Sequence, residues 1–541
     1  MVKCLLDFLY TNKYLYLTLS IFSLIIILPF IGIFSKLNID LHSLISFIKN
    51  KYILRIIYFS FYQAFLSAFL SCLIAIPFAL ALNRHKNLKI IKIIVSLCGF
   101  SFVIPSILIV YAVIKLFGKN GFYNYYFNFY ELIGLNSIYG IEAILIAHVL
   151  LNAPFASRLF FQNLNNIPIK YYEISNSLNL GFFANIYKLE IPIIKQNLFT
   201  VFSVIFSLCF LSFAIVMTLG GGPLNSTIEV AIYQYAMFEL NFNNAILLSF
   251  IQIFICIIFI FIGFYNLKGS KFFEINFNNF LHPHKNYKFV KIIDYLFILI
   301  FSLFLLSPII CVIINFINEG LDKNFILKSD FISAFLNSII ISILTGLLVS
   351  ISGLFVTIIL VQNYKNTFNQ QILFLLSSSI LIISPIIFSL GYFIILGEYR
   401  YISFFSFLIV ILINSIFLIP FSILILFNNI KNIFLSFEDF QKTFRIKISD
   451  YYKIIFPLIK KNLLYVFSFS TVITIGDFTI ISFFRNQDFE TLPSLLFKLI
   501  SAYRFNEASF VAGFILILSL IIYFFIDNFI YKVKPAKSTC T

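Results

Sequence analysis

The chain has 541 residues, 61% of them hydrophobic and 11% charged, with a formal charge of +16 and a mean hydropathy of +1.00. A soluble domain carries about a quarter charged residues and under half apolar ones, so a string of soluble domains is excluded. The excess of 38 Lys+Arg over 22 Asp+Glu is what the cytoplasmic loops of a membrane protein accumulate, and it does not imply a nucleic-acid partner.

A bilayer core needs roughly 20 apolar residues per crossing helix. In chain order such runs fall at about 14–34, 58–82, 93–117, 138–160, 198–219 and 244–266. Six more fall at about 292–317, 333–361, 371–396, 402–428, 463–484 and 509–531. The expected fold is therefore all-α, a polytopic membrane protein with about 12 transmembrane helices. The first run is too long for the apolar part of a signal peptide and no small-x-small cleavage pattern follows it, so it reads as an anchor. Placing the N-terminus inside puts 26 Lys+Arg in cytoplasmic segments and 12 outside, the full 38. Both termini are expected in the cytoplasm. Arg84, His85 and Lys86 read as part of that topology-setting charge. Glu142, His148 and Asp294, near span ends, read as groups that reach the interface.

One long polar stretch, about 267–290, divides the chain near its midpoint and contains His282-Pro283-His284. Two histidines with no carboxylate or Cys beside them read as a solvated linker, and no metal site is expected. None of the seven cysteines makes a C-x-x-C pair. Gly220-Gly221-Gly222-Pro223 lacks the Gly-Lys-Ser/Thr that a phosphate-binding loop needs. The chain is not expected to hydrolyse ATP itself.

An internal repeat organises the rest. After the fourth run comes Glu173-Ile-Ser-Asn-Ser-Leu-Asn179, with Pro192 nineteen residues beyond Glu173. After the tenth comes Glu438-Asp-Phe-Gln-Lys-Thr-Phe444, with Pro457 nineteen residues beyond Glu438. The loops lie 265 residues apart, and Pro192-Ile-Ile-Lys-Gln-Asn-Leu198 continues to match Pro457-Leu-Ile-Lys-Lys-Asn-Leu463. Two six-span halves follow: 1–266, with its loop at about 165–197, and 291–541, with its loop at about 430–462. In each, a short helix outside the membrane precedes a proline at the start of the next span. A pair of such handles suits a two-fold partner.

The Glu-x-x-x-x-Leu-x pattern followed by proline resembles the cytoplasmic EAA loop of the permease subunits of ABC importers, with Asn179 and Phe444 where the family has glycine. Two further stretches are similar to the fused permeases of bacterial thiamine importers. The first runs from Leu211-Ser-Phe-Ala to Gly222-Pro223 and on through Ser226-Thr-Ile-Glu229. The second comprises Gly476-Asp-Phe478, Thr491-Leu-Pro493 and Ser501-Ala-Tyr-Arg504. The resemblance implies a type I importer permease. Two ATP-binding cassette subunits would dock on the loops through Glu173, Asn179, Pro192, Glu438, Phe444 and Pro457. A periplasmic binding protein would deliver a small-molecule substrate across the inner membrane. ATP and magnesium would be used by the partners, with no cofactor on this chain. Ferric-iron permeases share the fused architecture and are the alternative within the class. An ion-coupled secondary transporter is the alternative outside it, but the loop Asn83-Arg-His-Lys-Asn-Leu-Lys89 lacks the Gly and Asp that such carriers place there.

Asp477 is the one acid well inside an apolar run, and Ser212 stands 265 residues earlier. An ionisable group at that depth is costly and faces a polar cavity or a partner. With Phe478 and Phe213 it forms a candidate substrate pathway for a cationic ring, or else it caps a helix. Gly221 and Gly222, with Glu229 and Glu490 in the outer segments, are candidate contacts for the binding protein.

Overall fold

The computed structural model describes residues 12–37, 41–128, 138–264, 288–319, 325, 327–362, 382–444, 448–486 and 489–531. The central linker with His282 and His284 lies outside them. The helices are α1 (Asn12–Ser35), α2 (Leu41–Lys49), α3 (Lys51–Arg84), α4 (Lys89–Phe100), α5 (Ser106–Phe117), α6 (Phe122–Phe127) and α7 (Ile141–Asn165). There follow α8 (Ile169–Ser177), α9 (Phe182–Asn185), α10 (Ile191–Phe210), α11 (Ala214–Leu219), α12 (Ile228–Met237) and α13 (Phe242–Phe264). The second half supplies α14 (Lys288–Glu319), α15 (Ser329–Gln362), α16 (Pro385–Leu396), α17 (Ser403–Phe444), α18 (Ile448–Ile475), α19 (Thr479–Phe484), α20 (Leu492–Ser501) and α21 (Phe505–Tyr531). The protein is an all-α polytopic membrane protein. Among the described residues nine helices are long and apolar enough to cross a bilayer, with shorter apolar helices beside them.

Three of the twelve apolar runs are interrupted within the described residues. The run 93–117 is split into α4 and α5 by the turn before Pro105, and the runs 198–219 and 463–484 break at 211–213 and 476–478. A broken helix frees backbone groups that lipid cannot satisfy, so such breaks survive only where protein supplies partners. Asp477 is one supplier: its Oδ1 accepts from the N–H groups of Thr479 (3.0 Å) and Ile480 (3.3 Å) at the start of α19. On the other side of the break, Gly476 and Asp477 donate back to the carbonyls of Ile473 and Thr474.

The sequence repeat has a counterpart in the elements. α3 and α15 are both 34 residues long, α5 and α16 are both 12, and α11 and α19 are both 6. Matching side chains do matching work. Ser60 Oγ on α3 accepts from the N–H of Ile228, at 2.8 Å, and Ser338 Oγ on α15 accepts from the N–H of Leu492, also at 2.8 Å. Each serine holds the start of a ten-residue helix. Each of those helices ends at a left-handed residue, Leu240 (φ 54°) or Tyr503 (φ 57°), just before the next span.

Two compact units divide the chain. One comprises residues 1–38, 323–495 and 517–541, the other residues 39–322 and 496–516. The leading helix of each sequence half therefore belongs to the unit built mostly from the other half. Within the first unit α1 packs on α16 through a glycine pair: a Cβ at Gly391 would sit 2.3 Å from the Pro29 carbonyl oxygen, and one at Gly32 would sit 2.5 Å from that of Gly391. Small residues permit such close approach of membrane helices. Within the second unit α3, α7, α10 and α13 pack around one another, and α14 lies against α3 and α5. The buried side of α14 carries Asp294, Ile298, Phe301, Leu305, Ile309 and Val312 at helical spacing, with Phe301 on Phe78 at 4.0 Å between ring centroids. The opposite side exposes Ile292, Leu296, Leu299, Ile300 and Leu303, the composition of a lipid-facing stripe.

Candidate docking and coupling site

The loop after α7 is an ordered helical hairpin. α8 buries Tyr172 and Ser175 and leaves Tyr171, Glu173, Ile174 and Leu178 exposed. Its end is fixed by two crossed hydrogen bonds, Leu180 N–H to the Ser175 carbonyl and Asn179 N–H to the Asn176 carbonyl, both 3.0 Å. That pair defines a Schellman cap, whose first residue beyond the helix must be left-handed. Asn179 occupies it, with φ at 50°. Among residues with a side chain, asparagine is one of the few that adopt this conformation at little cost. The Asn at the family's glycine position is thus explained by backbone geometry. Asn179→Gly is expected to leave thermal stability unchanged or raised, and Asn179→Val to lower it by about 1–2 kcal/mol. Melting of the purified variants checks both.

The returning strand of the hairpin is held by the Ser175 hydroxyl, which donates to Asn185 Oδ1 at 2.5 Å. α9 then passes into a π-helical turn, Ile186–Glu190, before α10. Pro192 explains the widening: it has no N–H for the carbonyl four residues back, and its ring crowds that carbonyl. Pro192 follows directly on this turn, inside the continuous helical stretch Phe182–Phe210.

Glu190, at the end of the π turn, is fully buried. Around it lies a polar cluster at the end of α3. Arg84 grips Asp294 with two hydrogen bonds, Nε to Oδ2 at 2.8 Å and Nη2 to Oδ1 at 2.6 Å. Its remaining nitrogen, Nη1, stands 3.8 Å from Glu190 Oε2. His85 Nε2 is 3.1 Å from Asp294 Oδ2, and its ring stacks on Tyr295. The Tyr172 hydroxyl donates to Glu190 Oε1 at 3.5 Å and accepts from Asn83 Nδ2 at 3.4 Å. Burial, and then the neighbouring Glu190 carboxylate, push the Tyr172 phenol above its ordinary range, so it remains a donor. Lys86 Nζ donates to Asn165 Oδ1 at 2.9 Å, and burial pulls its ammonium below its ordinary range. Arg84 also lies over the Phe182 ring, 5.3 Å from its centroid.

Arg84, His85 and Lys86 are therefore not solvated charges. They are 7%, 7% and 6% exposed, and Asp294 is 1% exposed. The cluster joins the ends of α3 and α7, the hairpin at 169–190 and the start of α14. A bidentate guanidinium–carboxylate pair is among the stronger contacts available. Removing one partner from a buried pair costs about 3–5 kcal/mol, because the survivor is left charged and dry.

The other sequence-derived residues are placed as follows. Glu438 and Phe444 lie on the backbone of the last turns of α17, but their side chains are outside the described residues. Pro457 sits inside α18 with an exposed side chain, ten residues in, much as Pro192 lies inside the continuous stretch Phe182–Phe210. Asp477 and Ser212 are half-buried at the breaks before α19 and α11. Asn414 Nδ2 on α17 donates to Asp477 Oδ2 at 3.3 Å. Phe478 and Phe213 are each 2% exposed, the latter edge-on to Tyr233, so neither ring presents an open face.

Gly221 (φ 73°) and Gly222 (φ 119°) are exposed and left-handed, a turn that a side chain would strain. Glu229 was expected as an outer contact. It is instead completely buried, in the first turn of α12, where Gln252 Nε2 donates to its Oε1. Ile228, Val230, Ala231 and Ile232 beside it are buried as well, and α13 packs on this helix and supplies Gln252. Glu490 is half-buried, with its backbone carbonyl accepting from Asn337 Nδ2 at 3.0 Å.

The chain is 30% identical over 486 residues to the thiamine transport system permease protein ThiP of Haemophilus influenzae, covering 88% of this chain and 89% of that one. It is 28% identical over 494 residues to the proteins of the same name in Salmonella typhimurium and Escherichia coli, covering 89% of this chain and 90% of each. No family model matches the chain.

Proposed function

Since the chain belongs to the thiamine transport system permease family, we propose that it is the translocating subunit of an ATP-driven importer that carries thiamine inward across the bacterial inner membrane. The observation that carries the ATP-driven part is the rigid hairpin at 169–190. Its cap, its internal hydrogen bonds and its buried attachment to α3 and α14 make it a handle able to transmit force. Its outer face offers Glu173 with the exposed apolar side chains of Ile174 and Leu178, a mixed surface suited to a docked protein.

Two ATP-binding cassette subunits would dock there and at the matching loop of the second half, 265 residues on. Both halves, 1–266 and 291–541, would supply one loop each, and both termini would be cytoplasmic. A periplasmic binding protein would deliver thiamine at the opposite side, near the exposed Gly221-Gly222 turn. The half-buried Asp477 and Ser212, at the two matching helix breaks, would lie along the path. Half-helix ends and breaks are where membrane transporters place substrate groups. The chain itself would perform no covalent chemistry. ATP and magnesium would act in the partners.

The test is uptake of labelled thiamine by a deletion strain with and without this gene, chased with unlabelled thiamine or ferric citrate. Gene-dependent uptake is expected, suppressed by thiamine alone. It should disappear when ATP is depleted even if the ion gradient is kept. Gene-dependent iron uptake without thiamine uptake would overturn the substrate, and uptake that survives ATP depletion would overturn the mechanism.

A further inference from the structure

The sequence positions that match the buried charges around the first hairpin hold uncharged residues. Arg84 is the last residue of the 34-residue α3, and Gln362 is the last of the 34-residue α15. His85 corresponds in the same way to Asn363. At the repeat spacing of 265, Tyr172 corresponds to Phe437 and Glu190 to Ile455. Aligning Pro308 of α14 with Pro29 of α1 sets Asp294 against Leu15. Every ionisable member of the cluster is replaced by an uncharged residue.

Packing alone holds helices together in such a fold, and replacing a buried ion pair by apolar residues is often neutral or stabilising. Five such groups concentrated at one of two equivalent places therefore call for a role other than stability. Their arrangement supplies one. Asp294 stands at the head of the buried stripe of α14, and both its oxygens are held by Arg84. Arg84 simultaneously faces Glu190, on the turn that closes the hairpin. Glu190 in turn accepts from Tyr172 on the buried face of α8, directly beside the exposed Glu173.

We infer that Arg84 and Asp294, braced by His85, Glu190 and Tyr172, form a one-sided ionic latch that makes α14 move with the first docking hairpin. This rests on the ATP-driven reading above. The residues are positioning residues: none is assigned contact with ATP or substrate. A displacement of α8 by a docked subunit is passed through directional, bidentate bonds to α14, the leading span of the other sequence half. Since the matching sequence positions carry no charge, the latch is assigned to the first hairpin alone.

The experiment uses the complete complex of permease, ATP-binding subunits and binding protein in proteoliposomes, reading ATP hydrolysed per thiamine imported. Asp294→Asn and Arg84→Gln should each raise that ratio at least fivefold. Arg84→Lys, which keeps the charge, should recover part of the loss. The apolar pair Arg84→Met with Asp294→Leu, made together with Glu190→Gln so that no buried carboxylate is stranded, should assemble and melt like the native complex and still show the raised ratio. Gln362→Ala should stay within twofold of native. A native ratio in Asp294→Asn, or in a well-assembled apolar pair, would overturn the latch. If the single variants fail to assemble, the apolar pair decides. A native complex that imports no thiamine on ATP would instead overturn the underlying functional reading, and it is recognised before any variant is compared.

Discussion

Glu173→Lys is expected to cut ATP-driven thiamine uptake at least tenfold while leaving the protein inserted at its native level. The residue is exposed on α8, and an exposed substitution away from caps and cores shifts stability by only about 0.5 kcal/mol either way. The fold around it is held from the other face, by Tyr172, Ser175 and the cap at Asn179. What the reversal changes is the surface offered to a partner. Losing one side of a desolvated charge contact across an interface costs about 2–5 kcal/mol, and 1.4 kcal/mol already corresponds to a factor of ten. Glu438→Lys is expected to act in the same direction at the second loop. The readouts are uptake and co-purification of the ATP-binding subunits from membranes with matched permease levels. Normal uptake in both variants would remove the docking assignment for these loops.

The class of the fold was legible because a bilayer imposes a length on every apolar run. The reading of two halves came from the spacing that Glu173 to Pro192 and Glu438 to Pro457 repeat. The chain-level pattern could not reveal which face of a span is inward. In α14 both the buried stripe and the exposed one are apolar, since lipid asks for the same side chains as a protein core. Asp294 could therefore be read only as a residue near a span end, although it heads the inward stripe.

Arg84, His85 and Lys86 were misleading for a related reason. Topology and burial both place cations at the cytoplasmic end of a helix, and only the partner distinguishes them. That partner, Asp294, lies 210 residues away. One signal was available: Glu190 precedes Pro192 in the first loop, whereas Ile455 precedes Pro457 in the second. A repeat broken at a charged position marks the half that carries an extra contact. Asn179, by contrast, departs from the family's glycine without departing from its geometry. Sequence comparison scores that as degeneracy, while the left-handed backbone makes it a near-equivalent.

Of the two roles weighed for Asp477 in the sequence, the helix cap is the one its contacts show, and its two oxygens allow the other to be tested apart from it. Oδ1 caps α19 through Thr479 and Ile480, while Oδ2 takes one bond from Asn414. Asp477→Asn keeps an oxygen for the cap and removes the charge. Asp477→Ala removes both. If the carboxylate draws the thiazolium cation along the path, Asp477→Asn should lower thiamine uptake about tenfold with an unchanged melting temperature, since a few kcal/mol of attraction are available at a partly desolvated site. Asp477→Ala should show the same transport loss plus a destabilisation of about 1 kcal/mol from the missing cap. Uptake and melting of the two variants, measured side by side, assign the residue. Native uptake in Asp477→Asn with a lowered melting temperature in Asp477→Ala would reduce Asp477 to a helix cap. The cation would then have to be recognised by neutral groups on the path, Ser212 among them, and the break in the repeat at this position would be a matter of helix termination.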